Sequence, residues 1–338
     1  MKSRMLICVV LALLAFVAGH EVAENQVLAK CDQESQFIVG VLRADGILIP
    51  FAQYSNGGWA NPWPPSNSAG GIYAESREAT HSLEDLPEPW FKQCGQVPRT
   101  WYFWSSAAAP IVLKASKVLK VRAHSLTNWA LSTNLPGRTS EDALDNEIGI
   151  ASSAKVKVDK MIGVSSKSPE DYDIAPDLKY FMEFAETEEV NRWRGQHPPE
   201  SAIRQFALTK EERAKIQMSI TKLYRSKPLN NGEYLYYFEA EKSYPNPGAD
   251  ATRSCEDVSL YRGWISARGK GGWGFKDSQL TFTNCDRKGP STATPLGIMT
   301  LKNRVFLFVK EHGWESASYM ILELDNSGLH LLLETIGG

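Results

Sequence analysis

The chain has 338 residues, with 37 Lys and Arg against 39 Asp and Glu, and a formal net charge of −2. Because the two signs nearly cancel, charge gives no reason to expect nucleic acid or an acidic membrane surface as a partner. The length is sufficient for one large domain or for two ordinary ones.

The first 19 residues have the layout of a secretory signal peptide. Lys2 and Arg4 give a basic start, residues 5–17 form an apolar run, and Ala18-Gly19 supplies small residues before a polar stretch. The apolar run is short for a membrane helix, which needs about 20 residues. We expect cleavage after Gly19 and a secreted or periplasmic protein without a membrane span. An uncleaved N-terminal anchor is the alternative.

Cleavage at this point leaves four cysteines in the mature chain: Cys31, Cys94, Cys255 and Cys285. An even number in an oxidising compartment predicts two disulfide bonds, with 3 possible pairings. The pairing Cys31–Cys94 and Cys255–Cys285 keeps each bond within one half of the chain, and we favour it. Four free buried thiols are the alternative.

Short strands joined by tight turns recur through the rest of the chain. Asp45-Gly46 separates two apolar stretches and predicts a hairpin with a type I′ turn, in which both central residues have positive φ. Further turns are predicted at Asn230-Asn231-Gly232, Lys302-Asn303 and Asn326-Ser327-Gly328. Strands at such spacing indicate an all-β architecture.

The helical signal is weak by comparison. Thr209 and Glu212 have the spacing of a capping box, which predicts a helix of one or two turns. No stretch shows helical periodicity over more than about three turns. We therefore predict a mostly-β fold of antiparallel hairpins with few short helices.

Two arrangements of the hairpins fit this pattern. Gly-Trp pairs recur beside predicted hairpins, at Gly58-Trp59, Gly263-Trp264, Gly272-Trp273 and Gly313-Trp314. Such recurrence is typical of a β-propeller, and the length suits about seven blades. A multi-sheet β-sandwich, in which the resemblance among hairpins reflects shared turn chemistry, is the alternative.

Composition divides the chain into four parts. Residues 1–19 are the predicted signal peptide, and residues 20–164 form an N-terminal β-rich region. Residues 165–202 are acidic, contain several prolines and show weak periodicity, so we interpret them as an insertion or a linker. Residues 203–338 form a C-terminal β-rich region.

The common catalytic motifs are missing from the sequence. It contains no G-x-S-x-G elbow, no H-E-x-x-H zinc motif, no P-loop and no C-x-x-C pair. We therefore predict no cofactor or metal site, and no catalytic residue is assigned. A carboxylate pair of the glycosidase type stays open, because such pairs form in space and leave no sequence signature.

The loop after the first hairpin is the most distinctive stretch. Trp59 and Trp63 stand among glycines and prolines, with Asn56 and Asn61 beside them. Rigid exposed aromatic rings with amides nearby are typical of carbohydrate-binding surfaces, so these four are candidate ligand-binding residues. The alternative is that the tryptophans anchor the hairpin. Trp63 lies outside the Gly-Trp pattern and is the better candidate for exposure.

These observations lead to three expectations for function. The leading one is an exported, disulfide-stabilised β protein that acts as a binding module for carbohydrate or peptide. The second is an extracellular hydrolase with a glycosidase-type carboxylate pair. The third is a structural protein that interacts through its surface.

Overall fold

The computed structural model describes residues 36–62, 82–83, 97–105, 109–123, 126–137, 147–164, 174–195, 204–244, 256–267, 273–284, 290–313 and 317–337. These residues contain sixteen strands and three helices. The predicted signal peptide, the four predicted disulfide cysteines and Trp63 lie outside them. The predictions about those residues stay predictions.

The N-terminal part of the chain forms a seven-stranded antiparallel sheet. Its strands are β1 (Gln36–Arg43), β2 (Ile47–Ser55), β3 (Gly58–Ala60), β4 (Thr100–Phe103), β5 (Ile111–Ala123), β6 (Leu126–Thr133) and β7 (Glu147–Ser152). Six of them close into a barrel in the order β1-β7-β4-β5-β6-β2, because β1 also pairs with β2. The short strand β3 adds to β2 outside the ring.

Strand β1 lies in the part of the barrel wall that is buried on both faces. Ile38 and Leu42 point into the barrel, where they pack with the fully buried Trp101. Phe37 and Val41, at the alternate positions, face outward and are buried against another sheet. A strand covered on both faces reads as a continuous apolar run, as β1 does. The barrel interior is thus a packed core.

The C-terminal part forms two further antiparallel sheets and three helices. A five-stranded sheet has the order β12-β11-β10-β9-β8 and a four-stranded sheet the order β13-β14-β15-β16. The strands are β8 (Ile162–Gly163), β9 (Met218–Arg225), β10 (Tyr234–Tyr244), β11 (Asp257–Ala267), β12 (Trp273–Asn284), β13 (Thr292–Leu301), β14 (Arg304–His312), β15 (Ala317–Leu324) and β16 (Leu329–Gly337). The helices are α1 (Ile174–Arg194), α2 (Arg204–Ala207) and α3 (Lys210–Lys215).

These units stack in layers, with the four-stranded sheet in the middle. Phe306 and Phe308 of β14 face the barrel and pack against its outer wall. Leu307 and Val309 of the same strand face the five-stranded sheet. The far side of the five-stranded sheet is covered by α1. The order of layers is therefore barrel, four-stranded sheet, five-stranded sheet and helix.

The prediction of a mostly-β, multi-sheet fold is confirmed. The described strands form one barrel and two stacked sheets, and no radial array of propeller blades is found among them. Hydrophobic burial explains this arrangement, because the sheets are apolar on faces that only another layer can cover.

The predicted hairpin at Asp45-Gly46 is present, but its turn type differs from the prediction. Only Gly46 of the two has positive φ, at 80°, and its N–H donates to the Arg43 carbonyl at 3.1 Å. Ala44 and Asp45 are therefore the central residues of the turn. The Asp45 carboxylate accepts from the Ile47 N–H at 3.1 Å, the side-chain to backbone bond that is typical of aspartate in turns.

The other predicted turns are confirmed. Lys302 and Asn303 have φ values of 48° and 66°, as a type I′ turn requires. Gly232 and Gly328 also have positive φ, at 78° and 138°. These turns are set by residues adjacent in the chain, which is why the sequence pattern predicts them well.

Helix α1 is longer than the sequence pattern indicates, since it spans 21 residues within the stretch interpreted as an insertion or linker. Its buried positions recur every four residues: Ile174, Leu178, Met182, Glu186 and Val190. A charged residue thus stands in the middle of the buried stripe. On the opposite face, Tyr180 and Phe184 are 66% and 58% exposed. The buried charge and the exposed aromatic rings both weaken the amphipathic pattern from which a helix is predicted.

Helix α3 is the short helix predicted from its capping box. The Thr209 side chain accepts from the Glu212 N–H at 3.2 Å, and the Glu212 carboxylate accepts from the Thr209 N–H at 2.8 Å. Within the described ranges, no helix is long and apolar enough to cross a membrane.

Truncating Phe308 is expected to weaken the packing between the barrel and the four-stranded sheet. Its fully buried ring lies 6.2 Å from Phe51 and 5.8 Å from Trp59, both on the barrel side. We expect Phe308→Ala to lower the free energy of unfolding by about 3–5 kcal/mol in urea denaturation. Leu331→Ala is the control, because Leu331 is 55% exposed, and should change it by less than about 0.5 kcal/mol. Equal losses in the two variants would contradict the layered core.

Candidate functional site

Trp59 packs against an aromatic cluster between the barrel and the four-stranded sheet. Its ring centroid lies 5.0 Å from that of Tyr54 and 5.8 Å from that of Phe37. Phe306 and Phe308 lie 5.6 and 5.8 Å away on the facing sheet. These are the contacts of a hairpin anchor, so they favour the structural alternative for Trp59. Its role in ligand binding stays a prediction.

Asn56 occupies the turn between β2 and β3. Asn56 and Gly57 have φ values of 52° and 82°, which define a type I′ turn. The Gly57 carbonyl accepts from Arg304 Nη1 at 2.6 Å and thereby fixes the turn to β14. Asn61 is exposed after β3. The structure thus brings Asn56, Trp59 and Asn61 together along one hairpin, and Trp63 lies outside the described residues.

A solvent-facing cleft of about 400 Å³ lies where the segment between β7 and β8, the β9–β10 turn and β13 meet. Its volume falls within the range of small-molecule and side-chain binding pockets. The lining residues are Lys157, Asp159, Lys227, Pro228, Leu229, Asn230, Ile298 and Thr300. We take this cleft as the candidate functional site.

Backbone hydrogen bonds hold both walls of the cleft. Asp159 pairs with Ile298 of β13 through two N–H to carbonyl bonds of 2.8 Å each. On the other wall, the Leu229 N–H donates to the Glu233 carbonyl at 2.7 Å. The Gly232 N–H donates to the Leu229 carbonyl at 2.8 Å. The lining side chains therefore project from fixed backbone.

Two lysines converge on one carboxylate in the cleft. Lys227 Nζ lies 2.6 Å from Asp159 Oδ1, and Lys157 Nζ lies 3.2 Å from Asp159 Oδ2. The lysine side chains are 40% and 53% exposed, so a ligand in solvent can reach them. One positive charge in the cleft is left without a counter-charge from this set. The arrangement suits a ligand that carries a carboxylate.

Sequence reasoning missed the cleft because its residues come from three distant stretches. Residues 157–159, 227–230 and 298–300 meet only after the layers have stacked. The one local signal was the turn at Asn230-Asn231-Gly232, which fixes the second wall. Lysine is common on protein surfaces, so neither Lys157 nor Lys227 indicates a binding site by itself.

A buried polar network beneath α1 has a different character. Glu186 of α1 is 1% exposed and lies 3.2 Å from Nζ of the fully buried Lys242. It also accepts hydrogen bonds from Ser259, at 2.6 Å, and from Tyr244. Burial, and next the Glu186 carboxylate, raise the pKa of Tyr244, so its hydroxyl stays protonated and donates. This network ties the helix to the five-stranded sheet.

A second buried carboxylate, Glu239, ties the five-stranded sheet to the four-stranded one. It accepts from the Tyr237 hydroxyl at 2.6 Å and from the Ala293 N–H at 3.0 Å. Lys222 Nζ lies 3.1 Å away. Glu186 and Glu239 are each engaged by several donors, which is the arrangement of a structural cross-link.

Asp325, Ser327 and His330 combine the residue types of a catalytic triad in the exposed β15–β16 turn. Ser327 Oγ lies 2.7 Å from His330 Nε2, and Asp325 Oδ1 lies 3.1 Å from the same nitrogen. A triad needs the serine and the acid on different ring nitrogens. Asp325, Ser327 and His330 therefore stabilise the turn by hydrogen bonds and do not form a triad. In the described part of the chain, no three His, Cys, Asp or Glu side chains are grouped as a metal site requires.

Comparison with known proteins gives no assignment, since no family model, no curated protein and no solved structure matches the chain. Function is therefore inferred from the geometry of the described residues. The binding-module, hydrolase and structural roles expected from the sequence stay predictions.

Glu186 is expected to be essential for stability because two cations are buried beside it. In Glu186→Gln, Lys242 and Arg213, which is 3% exposed, stay buried without their counter-charge, and stability should fall by about 3–5 kcal/mol. Adding Lys242→Met removes one of the cations and should restore part of the loss. Urea unfolding of both variants measures this. A double variant less stable than Glu186→Gln would contradict it, and Glu188→Gln on the exposed face of α1 is the control.

Asp325 is expected to titrate far below its ordinary range. Hydrogen bonds from the Ser327 hydroxyl and then its N–H lower the pKa of Asp325 from 3.8 to about 2. Because the folded-state pKa is lowered, the turn keeps its contribution to stability above the ordinary value and loses it as the pH falls towards about 2. NMR titration of the Asp325 carboxyl carbon measures this. Ser327→Ala should raise the pKa of Asp325, and an unchanged titration would contradict the assignment.

Proposed function

We propose that the protein is an exported binding module whose cleft holds an acidic side chain of a peptide ligand. The observation that carries the proposal is that Lys157 and Lys227 share the single carboxylate of Asp159 inside a cleft of about 400 Å³. An incoming carboxylate gains two ammonium partners, and its negative charge compensates the excess positive charge.

The remaining lining residues favour peptide over carbohydrate. Asn230 and Thr300 offer an amide and a hydroxyl for peptide groups, while Leu229 and Ile298 offer apolar contact for a side-chain stem. No aromatic ring is among the residues that line the cleft, and sugar-binding sites generally use such rings for stacking. A carbohydrate site at the hairpin of Trp59 and Trp63 stays a separate prediction.

Export is part of the proposal. The basic start, the apolar run at residues 5–17 and the small pair Ala18-Gly19 support a signal peptide. The four cysteines that follow it support an oxidising compartment, secreted or periplasmic. The proposed ligand would then be a peptide segment outside the cytoplasm.

Removing the two cleft lysines is expected to weaken binding of acidic peptides. The probes are a fluorescent glutamate-rich peptide and the same peptide with glutamine at each glutamate position, measured by anisotropy. Each exposed ion pair contributes about 0.2–1 kcal/mol, so removing two of them with Lys157→Ala and Lys227→Ala should lower affinity by about twofold to thirtyfold. Asp159→Asn, which frees both lysines, should raise affinity. Salt should weaken binding throughout.

Lys155→Ala is the matched control for this experiment. Lys155 is an exposed lysine on the same segment that does not line the cleft, so its removal lowers the positive charge by one, against two in the double variant, and leaves the cleft intact. Affinity should be retained in that variant. Equal loss in the control and the double variant, or equal binding of the glutamate and glutamine peptides, would contradict the proposed function.

A further inference from the structure

We propose that Asn56 is a modification site, at which the turn deamidates spontaneously to aspartate and isoaspartate. The backbone nitrogen of Gly57 attacks Cγ of Asn56, the new N–Cγ bond forms, and the Cγ–Nδ2 bond breaks. Ammonia leaves with the proton of the attacking nitrogen. Solvent water then opens the five-membered imide at one of its two carbonyls. The reaction needs no oxidant, reductant or enzyme, and asparagine is among the chemically labile residues.

Both reacting groups, the Asn56 side-chain amide and the Gly57 N–H, are accessible in the turn. Asn56 and Gly57 are both exposed, and no atom lies within 4 Å of the position that a Gly57 Cβ would occupy. Within the described residues, neither the Asn56 side chain nor the Gly57 N–H takes part in a hydrogen bond. The attacking nitrogen and the amide it attacks are therefore both available.

The β9–β10 turn provides an internal comparison, because it contains the same dipeptide at Asn231-Gly232. Gly232 is equally open, with no atom within 4 Å of its Cβ position. Its N–H, however, donates to the Leu229 carbonyl at 2.8 Å. The Asn231 amide oxygen accepts from the Glu233 N–H at 3.0 Å. Both reacting groups are held, so this site must break two hydrogen bonds before it can react.

Ring closure also requires rotation of the Asn56 backbone. The bond from Arg304 to the Gly57 carbonyl opposes this rotation, while the pairing of β3 with β2 opposes it over a short length only. Strand β3 has only three residues and three register pairs with β2: Gln53–Ala60, Tyr54–Trp59 and Ser55–Gly58. A short edge strand opens at low free-energy cost compared with the core.

The isoaspartate product changes the structure around it. It inserts one extra carbon into the backbone, which a two-residue type I′ turn cannot accommodate. The contact between the Gly57 carbonyl and Arg304 is then lost, together with the register that holds Trp59 against the aromatic cluster. Deamidation at Asn56 therefore releases Trp59 towards solvent.

The test is ageing of the folded full chain in mildly alkaline buffer, followed by peptide mapping with mass spectrometry. Asn56 should deamidate about tenfold or more faster than Asn231, since only Asn231 must break two hydrogen bonds. In urea the two rates should become similar. Two outcomes would overturn the proposal. One is Asn231 reacting as fast as Asn56 in the folded chain, and the other is an Asn56 that stays unmodified in the folded chain while it reacts in urea.

Two variants connect the chemistry with the structural consequence. Asn56→Gln, which removes the five-membered ring pathway, should abolish conversion at this position, whereas Asn231→Gln should leave the Asn56 rate unchanged. Quenching of tryptophan fluorescence by acrylamide should rise with isoaspartate content in the wild type and stay constant in Asn56→Gln. A rise of equal size in Asn56→Gln would overturn the link between this modification and Trp59.

Discussion

The structure depends on a four-stranded sheet that must be buried on both faces. Alternate residues of β14 meet the barrel and the five-stranded sheet, so neither neighbour can be removed without exposing apolar surface. Phe306 and Phe308 take part in the first contact, and Leu307 and Val309 in the second. The five-stranded sheet shares this property. The stack ends at the outer face of α1 on one side and at the barrel on the other, where Ile111 and Val112 of β5 are exposed.

The candidate binding cleft follows from the same constraint. Layers of different shape cannot cover one another completely. The segment between β7 and β8, a hairpin turn and the edge strand β13 leave a hollow where they meet. The Asp159–Ile298 bridge fixes that segment against β13 at this point. Ligand sites occur preferentially at such junctions between structural units. The shape of the cleft thus follows from the stacking of the layers, and its charge comes from Lys157, Asp159 and Lys227.

The sequence predicted the features that depend on neighbouring residues. Lys302-Asn303 and the Thr209–Glu212 capping box each determine their own conformation, and both are found as predicted. Helix α1 was missed because Glu186 stands in its buried stripe, a position that Lys242, Tyr244 and Ser259 on distant strands make favourable. Barrel closure through the pairing of β1 with β7 also could not be predicted from the sequence, because the two strands lie more than a hundred residues apart.

Buried glutamates set the alignment of the layers, which apolar surfaces alone leave free to slide. Glu147 of the barrel pairs with Lys310 of the four-stranded sheet, Glu239 joins the two sheets, and Glu186 joins the helix to the last sheet. Each is largely desolvated and engaged by several partners, so each fixes a position at an energetic cost. The Asp159 carboxylate differs, because it shares two partly exposed lysines at a solvent-facing junction. Lys157 and Lys227 therefore stay accessible from solvent, whereas Lys242, the partner of Glu186, is fully buried.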